Sequence, residues 1–195
     1  MEKRFKTGLI LLSILFSHPI YGQTQEFSKS SIKVGLGIGV SMGNNTEGGG
    51  FVYTIGYQKE IWKNRLRLNP NFSIGHYSSK FILDARDQYF NSINIETNLN
   101  YDLIKIKSFS LVLGSGGLVN NSKGLKGTGG DPDGYTQPPT SKYVSDFHFG
   151  GYLGGGFRIN SPNKRTAINI MPINIHFGNN SFAEFHAKIE LDFKF

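Results

Sequence analysis

A base, a hydroxyl and a carboxylate lie close together near the end of the chain. In the stretch IHFGNNSFAEFH, His176, Ser181 and Glu184 flank a short turn-like segment, GNNS. Acyl transfer uses these three groups, because the base takes the hydroxyl proton and the carboxylate orients the base. One hypothesis is therefore an acyl-transfer site with His176, Ser181 and Glu184 as its catalytic residues. The alternative is that the three side chains only make structural hydrogen bonds.

The histidines form a second candidate group. Outside the N-terminal segment they lie at His76, His148, His176 and His186. Gathered at one end of a fold, they could bind a metal ion or act as a base. Against this, His76 shares the alternation of the apolar Phe72 and Ile74. We favour dispersed hydrogen-bonding histidines and assign no metal.

Two glycine-rich stretches look like ligand-binding loops but lack the required surroundings. GLGIGVSMG lies inside a strand pattern, whereas a nucleotide loop must lead into a helix. GGDPDG has two aspartates but not the remaining ligands of a calcium loop, and it reads as a turn. The sequence therefore predicts no cofactor.

The N-terminal segment has the layout of a secretory signal peptide. Lys3, Arg4 and Lys6 precede an apolar run at 9–16, and a polar stretch follows. The run is about half of the ~20 residues that a membrane-spanning helix needs. We expect export, cleavage after Gly22 and a single domain over 23–195. The chain has no cysteine, which excludes a disulfide framework and a cysteine-linked lipid.

The chain is basic. Its formal net charge of +7 becomes +5 when residues 1–22, with three basic and one acidic side chain, are removed. Short basic groups remain, at Lys59, Lys63, Arg65 and Arg67, at Lys105 and Lys107, and at Lys164 and Arg165. Nucleic-acid binders are also basic, but an exported chain meets the phosphates of lipid instead. The alternative, which we favour, is that these groups are solvated turn residues. We expect no nucleic-acid partner.

Alternation of apolar and polar residues with period two predicts β-strands after residue 30. Within 89–102, for example, Ile93 and Ile95 share one face, whereas Asn94 and Glu96 share the other. The eight predicted strands span 31–42, 51–60, 65–77, 89–102, 107–120, 143–159, 165–177 and 182–195.

The links between these strands alternate in length. The short ones lie at 61–64, 103–106 and 160–164, and the long, polar ones at 43–50, 78–88 and 121–142; a short link at 178–181 breaks the pattern. Strands that run up and down, with one tight end and one elaborated end, are typical of membrane barrels. We predict an all-β fold, an eight-stranded antiparallel up-and-down transmembrane β-barrel.

Aromatic residues near the strand ends support a membrane setting, because amphipathic rings gather at the headgroup level. The predicted girdle consists of Tyr53, Tyr57, Trp62, Tyr77, Tyr89, Tyr101, Tyr143, Phe177, Phe182 and Phe195. Alternation alone does not tell which face points outward. A soluble ligand-binding barrel of lipocalin type, with its apolar face inward, is therefore an alternative.

The chain ends in HAKIELDFKF, where Ile189, Leu191, Phe193 and Phe195 alternate with charged residues. This ending resembles that of the small outer-membrane β-barrel proteins of Gram-negative bacteria, the OmpA- and OmpX-type barrels. The resemblance extends over about residues 31–195 and implies that the four apolar residues are an assembly signal for the barrel-assembly machinery. Deleting Phe195 would then leave the chain exported but poorly assembled. The resemblance also implies an outer-membrane location beside lipid and lipopolysaccharide.

An eight-stranded barrel is just filled by its inward side chains, and buried charges need partners. We expect a polar network in the lumen from Lys33, Arg67, Glu96, Asp102, Arg158, Glu184, Lys188 and Glu190. The polar loop 120–142, rich in Gly and Pro, is the candidate for binding an extracellular ligand; disorder is the alternative.

The favoured function is a non-enzymatic one, either structural or in adhesion and recognition through the outer loops. The alternatives are a lipid A-modifying barrel of deacylase or acyltransferase type and a narrow pore. The His-x-Ser order of the deacylases is absent, since Phe177 and Gly178 follow His176.

Overall fold

A computed structural model describes residues 30–42, 47–63, 65–82, 88–129, 140–162 and 165–195. The strands are β1 (Ser30–Met42), β2 (Gly48–Trp62), β3 (Leu66–Ser78), β4 (Tyr89–Ile106), β5 (Phe109–Gly129), β6 (Thr140–Asn160), β7 (Thr166–Gly178) and β8 (Ala183–Lys194). A 3₁₀ turn, Ser79–Ile82, follows β3. Within these ranges no helix has the length and hydropathy to cross a membrane. The predicted signal peptide, 1–22, lies outside the described residues.

The eight strands form a closed antiparallel barrel in which each strand pairs with the next. Strand β1 closes the ring against β8, from Ser31 opposite Lys194 to Met42 opposite Ala183. The backbone N–H of Phe195 adds a hydrogen bond to the carbonyl of Ser30 at 3.1 Å. Closure leaves no unpaired strand edge in the barrel wall. The predicted fold class is confirmed.

Apolar side chains point outward and polar side chains point inward. On β4, Ile95 is 61% exposed, whereas its neighbour Glu96 is 1% exposed. The same alternation holds along β1, where Leu36 is 63% exposed and Lys33 is buried. A lipocalin-type barrel has the opposite arrangement, so that alternative is wrong.

One end of the barrel has tight turns. At the β2–β3 turn the N–H of Arg65 donates to the carbonyl of Trp62 at 2.9 Å, and Lys63 has a φ of 43°. The β4–β5 turn contains Lys107, with a φ of 51°. This turn lies beyond the predicted link at 103–106. The pairing register between β4 and β5 shifts between Asp102 and Ile104, and β4 then continues to Ile106.

A bulge in β7 explains why its sequence has apolar residues in both alternations. The register against β8 shifts between Met171 and Asn174, so Pro172 and Ile173 together face a single residue. Both are exposed, whereas Met171 and Asn174 are buried. The inward positions are thus odd-numbered before the bulge and even-numbered after it.

The predicted loop 120–142 is largely strand, which corrects its boundaries. β5 continues to Gly129 and β6 begins at Thr140; residues 130–139, with most of GGDPDG, lie outside the described residues. The two strands pair with each other up to Gly129 opposite Thr140, well past their last pairs with β4 and β7. The β5–β6 hairpin therefore projects beyond the rest of the barrel at the long-loop end.

Two predicted girdle residues lie inside the barrel instead. Tyr77 is fully buried and stacks on Phe90, with 5.1 Å between ring centroids. Phe182 is buried against the ring of His148 at 4.7 Å. Tyr77 occupies an inward-facing position of β3. Its ring lies so close to Gly75 that a side chain at that position would collide with it.

Of the other predicted girdle residues, Tyr101 is half-buried, and those exposed on the outer surface are Tyr53, Tyr57, Trp62, Tyr89, Tyr143, Phe177 and Phe195.

Candidate functional site

The centre of the lumen contains a string of alternating charges. Lys33 Nζ lies 3.4 Å from Glu190 Oε2, and Lys188 Nζ lies 3.0 Å from Glu190 Oε1. Lys188 Nζ is also 4.0 Å from Glu96 Oε1. All four side chains are at least nine-tenths buried, so each charge depends on its neighbours in the string for stabilisation.

His176 extends this string between two carboxylates. Its Nε2 lies 3.0 Å from Glu96 Oε2 and its Nδ1 lies 3.3 Å from Glu184 Oε2. An imidazole can donate from both nitrogens only when both carry hydrogen, so this geometry suits the imidazolium. Three cations then alternate with three anions, and the string is neutral.

Glycines of β1 make room for these long side chains. A Cβ at Gly37 would lie 3.0 Å from the Cβ of Lys188, and one at Gly39 would lie 2.5 Å from the Cβ of His186. Side chains at these inward positions would collide with β8. The packing of the lumen therefore explains why glycine occupies these inward positions of β1.

A second network lies towards the tight-turn end. Arg67 makes a two-bond ion pair with Asp102, in which Nη1 donates to Oδ2 at 2.7 Å and Nη2 donates to Oδ1. Arg158 Nη2 lies 2.7 Å from Asp192 Oδ2, and Arg158 Nη1 donates to Gln58 Oε1 at 2.9 Å. Planar guanidinium groups suit such paired contacts.

The structure thus places all eight expected lumen residues inside the barrel, in two groups. The central group holds Lys33, Glu96, Glu184, Lys188 and Glu190; the group near the tight turns holds Arg67, Asp102 and Arg158. Sequence reasoning missed three members, His176, Asp192 and Gln58. Asp192 and Gln58 fit the regular inward alternation of β8 and β2, and His176 fits that of β7 once the bulge is known.

The catalytic candidates are only partly brought together. His176 and Glu184 are in contact, but Ser181 is an exposed turn residue with a φ of 58°. Both nitrogens of His176 face carboxylates, which leaves neither to accept a hydroxyl proton. Among the described residues, no hydrogen bond joins Ser181 to His176 or Glu184. The geometry does not supply an activated serine.

The four histidines do not form one cluster, although two of them are in contact. His76 is on the outer surface, with Nδ1 2.7 Å from Asn91 Oδ1. His148 packs at the long-loop end, and His186 meets His176 edge-to-face at 4.8 Å. Within the described ranges, no three histidine, aspartate or glutamate side chains are arranged to hold a metal ion.

The projecting β5–β6 hairpin has an open edge along β6. Phe149 N–H donates to Asn179 Oδ1 at 2.9 Å, and Asn179 N–H donates to the Phe149 carbonyl at 3.0 Å. The backbone of Phe149 therefore points away from β5, and period two gives Phe147, Ser145 and Tyr143 the same direction. Pairing with β7 ends at Gly150, so no described strand covers this edge.

The hairpin also has three lysines. Lys126 lies directly opposite Lys142, and Lys123 precedes Lys126 on β5, on the other face of the strand. Like charges directly opposite each other are unfavourable in a sheet. Local arrangements that cost stability are often found at binding sites.

No protein-family model and no curated protein matches the sequence. Solved structures do match. Neisserial surface protein A has a TM-score of 0.60 and 12% identity, and covers 88% of this chain and all of its own. Ail, the attachment invasion locus protein of Yersinia pestis, has a TM-score of 0.54 and 12% identity over 87% of this chain and all of its own. It has also been solved with the heparin analogue sucrose octasulfate.

The N-terminal β-barrel domain of Pseudomonas aeruginosa OprF matches with a TM-score of 0.53 and 8% identity, over 86% of this chain and all of its own. At these identities the likeness concerns the fold. The chain has the fold of the small outer-membrane eight-stranded β-barrels.

Proposed function

We propose that this chain is an exported outer-membrane protein that acts by binding at the cell surface, without catalysis. The apolar exterior suits lipid, and the filled polar lumen suits a barrel that serves as a rigid support. Export depends on segment 1–22, and membrane insertion depends on the barrel-assembly machinery, with Ile189, Leu191, Phe193 and Phe195 as its signal. Outer-membrane lipid and lipopolysaccharide then surround the wall.

The projecting β5–β6 hairpin is the observation that carries this proposal. Its β6 edge directs backbone donors and acceptors of Tyr143, Ser145 and Phe147 to the open side. Exposed strand edges are costly unless they are protected or used, because they pair with other extended chains. A binding surface explains why the edge persists above the barrel.

The basic side chains of the hairpin favour an anionic ligand. Lys123 and Lys142 are exposed, and Lys126 is half-buried opposite Lys142. Ail, a protein of the same fold, has been solved with a sulfated heparin analogue. We infer that sulfated polysaccharide is one ligand class for this hairpin.

The test is a variant in which residues 123–145 are replaced by Asn-Gly, which removes the three lysines and most of the open edge. Ser122 faces Asp146, and the Asp146 backbone points towards β5, so a two-residue turn closes the shortened hairpin in register. Cells that display the whole protein should bind immobilised heparin, and cells that display the shortened variant should not. The heat-modifiable band of both proteins is compared to show equal folding. Equal heparin binding by the two would contradict the proposal.

A lipid A-modifying enzyme is not favoured by the separation of Ser181 from His176. Mass spectra of lipid A from cells with and without the protein should be the same. A difference of one acyl chain would support the enzyme and make His176, Ser181 and Glu184 the first residues to substitute.

A further inference from the structure

The tight-turn end of the barrel presents a basic surface, here called the basal rim. Its members are exposed or half-exposed cations that lie on the β2–β3 and β4–β5 turns or beside them: Lys59, Lys63, Arg65 and Lys107. Acidic side chains at this end, in the part of the chain that the structure describes, are the half-buried Glu60 and the buried Asp102 and Asp192. The two aspartates lie against arginines. The outward surface of the basal rim is therefore strongly positive.

Three lysines of the basal rim adjoin exposed apolar side chains of the barrel wall. Lys63 Nζ lies 5.3 Å from the ring centroid of Trp62, which is 51% exposed. Lys107 follows Ile106, which is 58% exposed. Lys59 lies on the outward face of β2, two residues after Tyr57. Cations that border an apolar wall lie at the depth of lipid phosphates when the wall is in the acyl region.

We propose that the basal rim binds the phosphodiester headgroups of anionic phospholipids, with its principal site at Lys59, Lys63 and Arg65 around Trp62. This rests on the proposed membrane location of the barrel. Phosphate oxygens accept hydrogen bonds from ammonium and guanidinium groups, and the acyl chains of the same lipid cover Trp62 and the wall above it. A free phosphate ion would gain only the first of these contacts. A basic group near a membrane surface is attracted to anionic lipid within about one Debye length.

Trp62 provides a direct measurement, because it is the only tryptophan of the chain. The full mature protein is reconstituted into phosphatidylcholine vesicles that contain a fraction of brominated phosphatidylglycerol or, separately, the same fraction of brominated phosphatidylcholine. Bromine quenches tryptophan on contact, so the ratio of the two quenching levels reports the relative association of the lipids at Trp62. We expect phosphatidylglycerol to associate about fivefold more strongly. The preference should weaken in concentrated salt.

The test variant combines Lys59→Gln, Lys63→Asn and Arg65→Gln. Asparagine is used at Lys63 because it tolerates the φ of 43° found there. The matched control, Lys123→Gln with Lys142→Gln, removes cations from the long-loop end. The basal variant should lose the preference for phosphatidylglycerol, and the control should keep it.

The outcomes separate this inference from the proposed function. Quenching of Trp62 by neither lipid would overturn the membrane location itself. Equal quenching by both lipids in the unchanged protein would overturn only the preference for anionic headgroups. Equal loss of preference in the basal and control variants would also overturn it, since the effect would then follow net charge.

Discussion

At the scale of single residues, His176 is the side chain on which the central charges depend. It lies between Glu96 and Glu184 at 3.0 and 3.3 Å. Its neighbour His186 is equally buried, but neither of its ring nitrogens has a hydrogen-bond partner among the described residues. The two histidines therefore differ in environment although they touch.

Replacing His176 by leucine should destabilise the barrel by about 3–5 kcal/mol, because two buried carboxylates lose their shared cation. The loss is measured as the free energy of unfolding in urea, with Trp62 fluorescence as the signal.

His186→Leu is the matched control for that experiment. It removes a buried imidazole whose nitrogens have no described partner, so the change in the free energy of unfolding should be less than ~1 kcal/mol or stabilising. If both variants lost the same stability, the ion pairs of His176 would not be the cause.

At the scale of the strand, the β7 bulge sets which residues face the lumen. Pro172 and Ile173 are opposite one residue of β8. Without the extra residue, alternation through β7 would be regular from Ala167 to His176. The bulge also explains how proline is accommodated, since proline cannot donate to a regular ladder.

Deleting Ile173 together with the substitution Pro172→Thr should leave a folded barrel. The deletion removes only the extra residue, and threonine restores a backbone donor. The fraction of heat-modifiable protein after refolding should match that of the unchanged chain.

Deleting Ile175 instead should prevent folding. It lies beyond the bulge, so its loss turns His176 outward and leaves Glu96 and Glu184 without their cation. Equal folding of the two deletion variants would mean that β7 does not have the register described.

At the scale of the whole molecule, the barrel is closed by its own side chains. The two charge networks fill the centre and the tight-turn end. At the long-loop end, Tyr77 stacks on Phe90, and Phe182 stacks on His148. An eight-stranded barrel has room for little else, so a narrow pore is not favoured.

Purified protein in planar lipid bilayers should therefore give no stepwise conductance in concentrated KCl. Insertion is checked in the same preparation by the heat-modifiable band. Regular single-channel steps that are absent from a protein-free control would contradict the filled lumen and restore the pore as a function.

Sequence alone determined the strands and their order around the barrel. Alternation with period two is a local property, and each of the eight predicted segments corresponds to a strand. The alternation of short and long links likewise predicted an up-and-down arrangement. The same alternation predicted that Glu96, Lys188 and Glu190 face the lumen, and all three are buried.

Only the tertiary structure decided which face of the sheet points outward, where a bulge shifts the alternation by one residue, and which charged side chains form ion pairs. A bulge shifts the alternation by one residue, and the local sequence does not show clearly where it lies. Which way Met171 and His176 face therefore depended on the pairing of β7 with β8. The contact of His176 with Glu96 joins residues 80 positions apart. Such contacts depend on the register of several strands together, and local sequence does not contain that information.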